Sequence, residues 1–182
     1  MAVTVTDTTG AAGSATFTWT ISAAGGGTCS THTQLLGNPG FETGSAAPWT
    51  STAGVINENG AGETSHTGSW YAWLDGYGTT HTDTLSQTVT IPAGCTATSF
   101  SFWLHIDTAE TTTTTAFDKL TITANGTTVA TFSNLNHNTG YTQHTFSLGS
   151  LAGSSVTVKF TGTEDSSLQT SFVVDDTAIN TN

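Results

Sequence analysis

The sequence predicts an all-β protein, and three observations carry that prediction. Thr, Ser and Gly dominate, and only 8% of the 182 residues are charged. The helix formers Lys, Arg and Glu are therefore scarce, while Thr and the aromatics favour pleated, half-buried surfaces. Apolar residues recur at every second position in short stretches separated by turn residues, and no window shows a sustained 3.6-residue stripe. The hydrophobic content of 35%, with 9 Phe and 5 Trp, supplies a core that a disordered chain of this charge would lack.

Taken in order, residues 1–22 hold two candidate strands, AVTVTD and SATFTWTIS, around the turn TTGAAG. Val3 and Val5 alternate with Thr, as do Phe17, Trp19 and Ile21, which predicts a β-hairpin. Residues 23–30 read as a Gly-rich linker. Residues 31–182 form the main domain, with strands expected around 35–43, 54–58, 69–75, 84–91, 98–107, 117–124, 127–133, 142–148, 155–162 and 171–179. The groups PAG, ANG, NHNTG and AGSS separate several of them. Short strands at near-regular spacing indicate a sandwich or barrel. Phe100, Phe102, Leu104 and Ile106 share one strand face, the expected core side, and Trp103, His105 and Asp107 share the other. In SWYAWLD, Trp70, Ala72 and Leu74 alternate with Tyr71 and Trp73.

Charge and cysteine usage narrow the function classes. The net charge is −11, with two Lys and no Arg. Phosphate backbones and anionic membrane surfaces need clustered bases, so nucleic-acid and membrane binding are both excluded as expectations. Converging carboxylates would instead suit a hard cation such as Ca²⁺. Cys29 and Cys95 are too few for a zinc site of their own. In an oxidising compartment they pair as a disulfide, and in a reducing one they stay as two buried thiols. No apolar run approaches the length of a membrane-spanning helix. Met1 is followed at once by strand-like sequence, so a secretion signal would be expected upstream in a longer chain.

Several segments recur in a familiar order: GNPGFETG (37–44), PWT (48–50), HTGSWYAWLDGYG (66–78), DTLSQTVTIPAG (83–94), FSFWLHIDTAET (100–111), FDKLTIT (117–123), VTVKFTGTEDSS (156–167) and TSFVVDD (170–176). This pattern closely resembles accessory domains at the C-termini of secreted bacterial hydrolases, notably the sedolisin-like and subtilisin-like peptidases of actinomycetes. It is more distantly similar to jelly-roll carbohydrate-binding modules of galactose-binding-like type. Residues 1–22 resemble the end of a bacterial immunoglobulin-like domain. The resemblance implies a jelly-roll β-sandwich, secreted and monomeric, that binds a polysaccharide or other glycan without catalysing a reaction. It also leaves open a protein-binding or stabilising role beside a parent peptidase, whose protein substrate would then be the partner, and a structural or adhesive role at a cell surface.

The resemblance further implies structural calcium held by Glu42, the turn at His66 and the pair Asp175 and Asp176. Adjacent residues of a strand point to opposite faces, so one of that pair, Asp176 by preference, is expected to face the ion. Asp107, Glu110, Asp118 and Asp165 form a second acidic group if the consecutive strands carrying 107 and 118 make a hairpin, either as a second cation site or as a solvated edge. Tyr71, Trp73 and Trp103, with His105, would build an aromatic platform for sugar rings if their faces coincide, with Asp75, Tyr77, His81 and Gln87 bonding hydroxyls. The competing reading places the same aromatics in the core between two sheets, Trp70 foremost, and leaves Trp73 as the best ligand contact. No HExxH, nucleophile elbow, phosphate-cradling loop or dinucleotide fingerprint is present, so no catalytic residue is named.

Overall fold

In a computed structural model, the described residues are 2–10, 12–16, 29 and 33–181. Thirteen strands run through them: β1 (Ala2–Thr6), β2 (Ala12–Thr16), β3 (Thr33–Gln34), β4 (Thr50–Ser51), β5 (Ile56–Glu58), β6 (Trp70–Asp75), β7 (His81–Thr90), β8 (Ser99–Thr108), β9 (Lys119–Ala124), β10 (Thr127–Ser133), β11 (Thr142–Ser147), β12 (Ser155–Glu164) and β13 (Thr170–Thr181). One sheet has the order β10-β9-β12-β7-β4, the other β11-β8-β13-β6-β5, with β3 added to β13. Every pairing is antiparallel. The main domain is thus a jelly-roll β-sandwich. At the N-terminus β1 and β2 form the expected hairpin, but Phe17, Trp19, Ile21 and most of the linker lie outside the described residues.

The period-2 pattern decides which face each strand buries. Phe100, Phe102, Leu104 and Ile106 of β8 are all buried, as are Val156, Val158 and Phe160 of β12, Leu85 of β7 and Leu120 and Ile122 of β9. The sheets meet through the Phe160 ring, 5.9 Å from Phe100 and 5.0 Å from Phe102, both edge-on. Such T-shaped contacts add to the burial term that dominates the stability of a sandwich. Trp70, expected within this core, is only partly buried and packs against its margin. Between β9 and β10, Asn125 (φ 48°) and Gly126 (φ 78°) make the two-residue left-handed turn that suits the twist of a hairpin.

The Cys29–Cys95 disulfide forms and spans 66 residues. In the loop-entropy account such a bridge adds about 4 kcal/mol.

Two strand expectations fail. Residues 35–43 are turns rather than a strand, because Asn38 (φ 48°) and Phe41 (φ 60°) adopt left-handed backbone between glycines. Phe41 nevertheless sits fully in the core, its ring 5.7 Å from Trp49, so the segment closes the sandwich as a lid. The consecutive strands β8 and β9 do not pair but belong to different sheets. Their connection, residues 109–118, is longer than a hairpin turn and crosses the gap of about 10 Å between packed sheets.

Candidate functional site

At the end of β6 the chain turns through Asp75 (φ 60°) and Gly76 (φ 91°). This turn opens a pocket of about 300 Å³ lined by Gly54, Asn57, Trp73, Asp75, Gly76 and Tyr77. The Trp73 indole is gripped by two glycines. A Cβ at Gly62 would lie 2.9 Å from its ring, and one at Gly76 would lie 2.8 Å from Nε1. Any larger residue would displace the ring. The Trp73 Nε1–H is buried and has no hydrogen-bond partner. Tyr77 is 50% exposed, with its ring 4.0 Å from that of His81. One apolar wall, one exposed aromatic and a few polar groups form the kind of concavity that takes a small, hydroxyl-rich ligand.

The structure splits the expected platform. Trp73, Asp75 and Tyr77 meet at this pocket, beside His81. Trp103 and His105 do lie on the outer face of their sheet, in register with Asp175 and Val173 of β13, but that face is covered. The His66 ring stacks on Trp103 at 3.9 Å, and Tyr141 packs against both His66 and His105. The Tyr141 hydroxyl donates to the Thr64 carbonyl at 2.7 Å, and the fully buried Tyr71 donates to the Glu63 carbonyl at 3.0 Å. Segment 59–68 therefore lies over these aromatics, and Tyr71, Trp103 and His105 are packing residues. Burial under the same cover pushes the Glu63 carboxyl up, with nearby His105 pulling the other way. Gln87 is also corrected: it points into the sandwich, accepting from Gly37 N at 2.7 Å and donating to Gly37 O at 3.0 Å.

The residues expected to hold calcium do converge, but as a hydrogen-bonded turn. Glu42 Oε1 accepts from Ser69 N at 3.0 Å and Trp70 N at 2.9 Å. Asp175 Oδ2 accepts from His66 N at 2.8 Å and Thr67 N at 3.1 Å, and Oδ1 from Asp176 N at 2.7 Å. Asp176 binds His66 Nδ1 at 2.7 Å and takes the Thr67 hydroxyl at 2.8 Å. Both aspartates reach the same turn, contrary to strict alternation. The reason is a bulge: the register shifts after Asp175, and Asp176 takes a left-handed backbone (φ 43°). Burial raises Asp175 to about 6 despite the N–H donors opposing it. Among the described residues no group of three or more His, Cys, Asp or Glu side chains is arranged to hold a metal.

The second expected acidic group is divided by the β8–β9 crossover. Asp107 is exposed on the outer face near Glu63. Glu110 stays at the surface, close enough to Asp118 and Asp165 to feel their charge. Asp118 is fully buried, accepting from Asp165 N at 2.8 Å and the Thr170 hydroxyl at 2.6 Å. It belongs instead to a group that the sequence reading missed. Asp75, Asp83, Asp118 and Glu164, carried by the ends of β6, β7 and β12 and the approach to β9, meet inside the sandwich beneath the pocket. The missed signal was parity: Asp83 shares the inward phase of Leu85 and Gln87, and Glu164 that of Val158 and Phe160.

No protein-family model matches the sequence, and no curated protein matches it. Among solved structures, the chain resembles TmCBM61 in complex with β-1,4-galactotriose at 19% identity and a TM-score of 0.60, covering 82% of this chain and 99% of that one. It also resembles the enzymatically active domain of the bacteriophage CBA120 tailspike protein 4, at 11% identity and a TM-score of 0.53, over 82% of this chain but only 21% of that one. A structure of carbohydrate-binding modules from the β-sandwich superfamily matches at 16% identity with a TM-score of 0.44, over 98% of this chain and 71% of that one. At these identities the first two comparisons establish the fold: an antiparallel β-sandwich of the kind found in a carbohydrate-binding module and within a larger phage enzyme.

Proposed function

We propose that this domain is a non-catalytic glycan-binding module of a secreted hydrolase, and that the pocket at Trp73 and Tyr77 is its binding site. The observation that carries the reading is the pairing, in one open pocket, of a rigidly held indole with a half-exposed tyrosine. Sugar rings place their C–H faces on such aromatics while their hydroxyls find polar neighbours. The resemblance in fold to a module bound to β-1,4-galactotriose supports it. The charge of −11 favours a neutral glycan over uronic-acid or sulfated chains, which the acids near the pocket would repel. The disulfide supports an extracellular setting.

Affinity electrophoresis through gels containing neutral galactan, xylan or soluble cellulose derivatives tests this. Retardation by at least one polymer is expected, with a loss of about tenfold in affinity for Trp73→Ala, equivalent to about 1.4 kcal/mol, and a smaller loss for Tyr77→Ala. Equal retardation of the double variant and the native chain would move the site elsewhere. Failure on every polymer, and on insoluble chitin and cell walls, would end the reading.

A further inference from the structure

Four carboxylates lie inside the sandwich beneath the pocket: Asp75 and Glu164 are 4% exposed, and Asp83 and Asp118 are fully buried. Three are supplied with donors. Glu164 accepts from the backbone of Tyr77, Gly78 and Thr170 at 2.9, 2.8 and 3.2 Å. Asp118 takes Asp165 N and the Thr170 hydroxyl. Asp83 accepts from Asp75 N at 3.0 Å and meets His81 Nε2 at 3.2 Å. Asp75 is the exception: both of its oxygens are buried and no donor stands at full hydrogen-bond geometry, the Asp83 backbone N–H giving only the weakest of the influences on its carboxyl. Its carboxylate lies directly over Gly162 of β12, where any Cβ would collide with it.

A buried carboxylate must be neutralised by a proton or by a cation. No base reaches Asp75, the His81 ring in the group lying against Asp83 instead. The chain has two Lys and no Arg, and the ion pairs among the described residues all involve histidine. A proton shared between acids would leave a mark, because a protonated carboxyl is a strong donor and would lie within hydrogen-bond distance of a neighbouring carboxylate. Asp75 makes no such bond, although its carboxylate lies over Gly162, the register partner of Asp83 in the sheet. Carboxylates that are close but not hydrogen-bonded are what a bridging ion produces: ligand distances of about 2.4 Å on each side hold the oxygens too far apart to bond one another.

We propose that Asp75 and Asp83 hold a divalent cation of the calcium type at this end of the sandwich, with backbone oxygens and water completing its shell. The donors are all oxygen, which favours a hard ion over zinc or copper. Asp118 and Glu164 keep their N–H and O–H donors and lend negative charge from behind. Two carboxylates are fewer than the three-residue cage that is absent among the described residues. The ion would also stiffen the Asp75–Gly76 turn that carries the pocket.

The test is calcium titration of the intact chain after EDTA treatment and desalting, read by calorimetry and by thermal unfolding. One ion per chain and a rise of several degrees in Tm are expected. Asp75→Asn and Asp83→Asn should each weaken binding more than tenfold, while Glu42→Gln leaves it unchanged. Circular dichroism shows whether each variant is folded, and two independent variants guard against one that is not. Absence of binding by the folded native chain would overturn the proposal. So would binding lost in Glu42→Gln and kept in Asp75→Asn, which would place the ion at the other acidic group.

Discussion

Strand β6 carries a carboxylate group at each end, and the two are built on opposite terms. At its start, Glu42, Asp175 and Asp176 surround the turn 66–70 and receive N–H groups from His66, Thr67, Ser69 and Trp70. At its finish, Asp75 receives none at full hydrogen-bond geometry. The difference lies in backbone supply. Both turns direct free N–H groups at acids, but at the finish those of Asp75, Tyr77 and Gly78 go to Asp83 and Glu164, which leaves the Asp75 carboxyl itself poorly served. Burial raises both groups, Asp175 to about 6 and Asp75 to about 8. At Asp75 the charges of Asp83, Glu164 and Asp118 add to burial, whereas at Asp175 the N–H groups of Asp176, Thr67 and His66 oppose it. The start of β6 is a clamp, and its finish gathers acids of which Asp75 must take up a proton or a cation to stay buried.

The largest effect should come from pH at the unsatisfied end. Without divalent cations, the folded Asp75 binds a proton up to about pH 8, while the unfolded one releases it near 3.8. A group whose folded pKa is raised contributes stability that is lost as pH rises. Between pH 4 and 8 the folded state holds more protons, so stability should fall by up to about 1.4 kcal/mol per pH unit from this group. Urea unfolding in EDTA across this range, taken as the difference between the native chain and Asp75→Asn, reads that slope. The variant should be the more stable of the two at neutral pH, by a few kcal/mol. A difference that stays flat with pH would show that Asp75 is not the buried charge described.

The satisfied end should respond to loss of its acceptor. Asp175→Ala leaves the N–H groups of His66, Thr67 and Asp176 without their partner. Orphaned buried donors should cost about 3 kcal/mol in total, or roughly 10 °C in Tm for a chain of this size. Thermal unfolding in EDTA measures it. A loss of the same size at Asp75→Asn would erase the contrast, because one residue is a needed acceptor and the other an uncompensated charge.

What the sequence disclosed divides along the same line. Alternation was enough for the inner face, since Phe100 to Ile106 and Val156 to Phe160 bury as their parity says. It also singled out Trp73, which meets Asp75 and Tyr77, expected as hydroxyl partners, at the pocket. It was silent where the backbone breaks its own period. A bulge adds a residue, so Asp175 and Asp176 serve one turn instead of two faces. A left-handed residue at the end of a strand carries Asp75 inward against Gly162. Long-range placement was hidden as well. Nothing local in NGAGETSH says that this segment lies over Trp103, because the contact depends on Tyr141, which lies far along the chain.

That cover gives the smallest and most specific prediction, and it sharpens the contrast between the closed aromatic face and the open pocket. Tyr141 holds segment 59–68 down by one hydrogen bond to Thr64 and by packing on His66 and His105. Burial, with Asp175 and Glu63 nearby, holds its phenol well above the ordinary tyrosine range, so it remains a donor throughout neutral pH. Tyr141→Phe keeps the packing and removes the bond, which should cost about 1 kcal/mol and lower Tm by a few degrees. Glycan affinity should not change, since the pocket at Trp73 and Tyr77 is formed without that bond. A Tyr141→Phe chain that keeps its stability but gains affinity would show that Trp103 and the covered face take part in binding once the segment lifts.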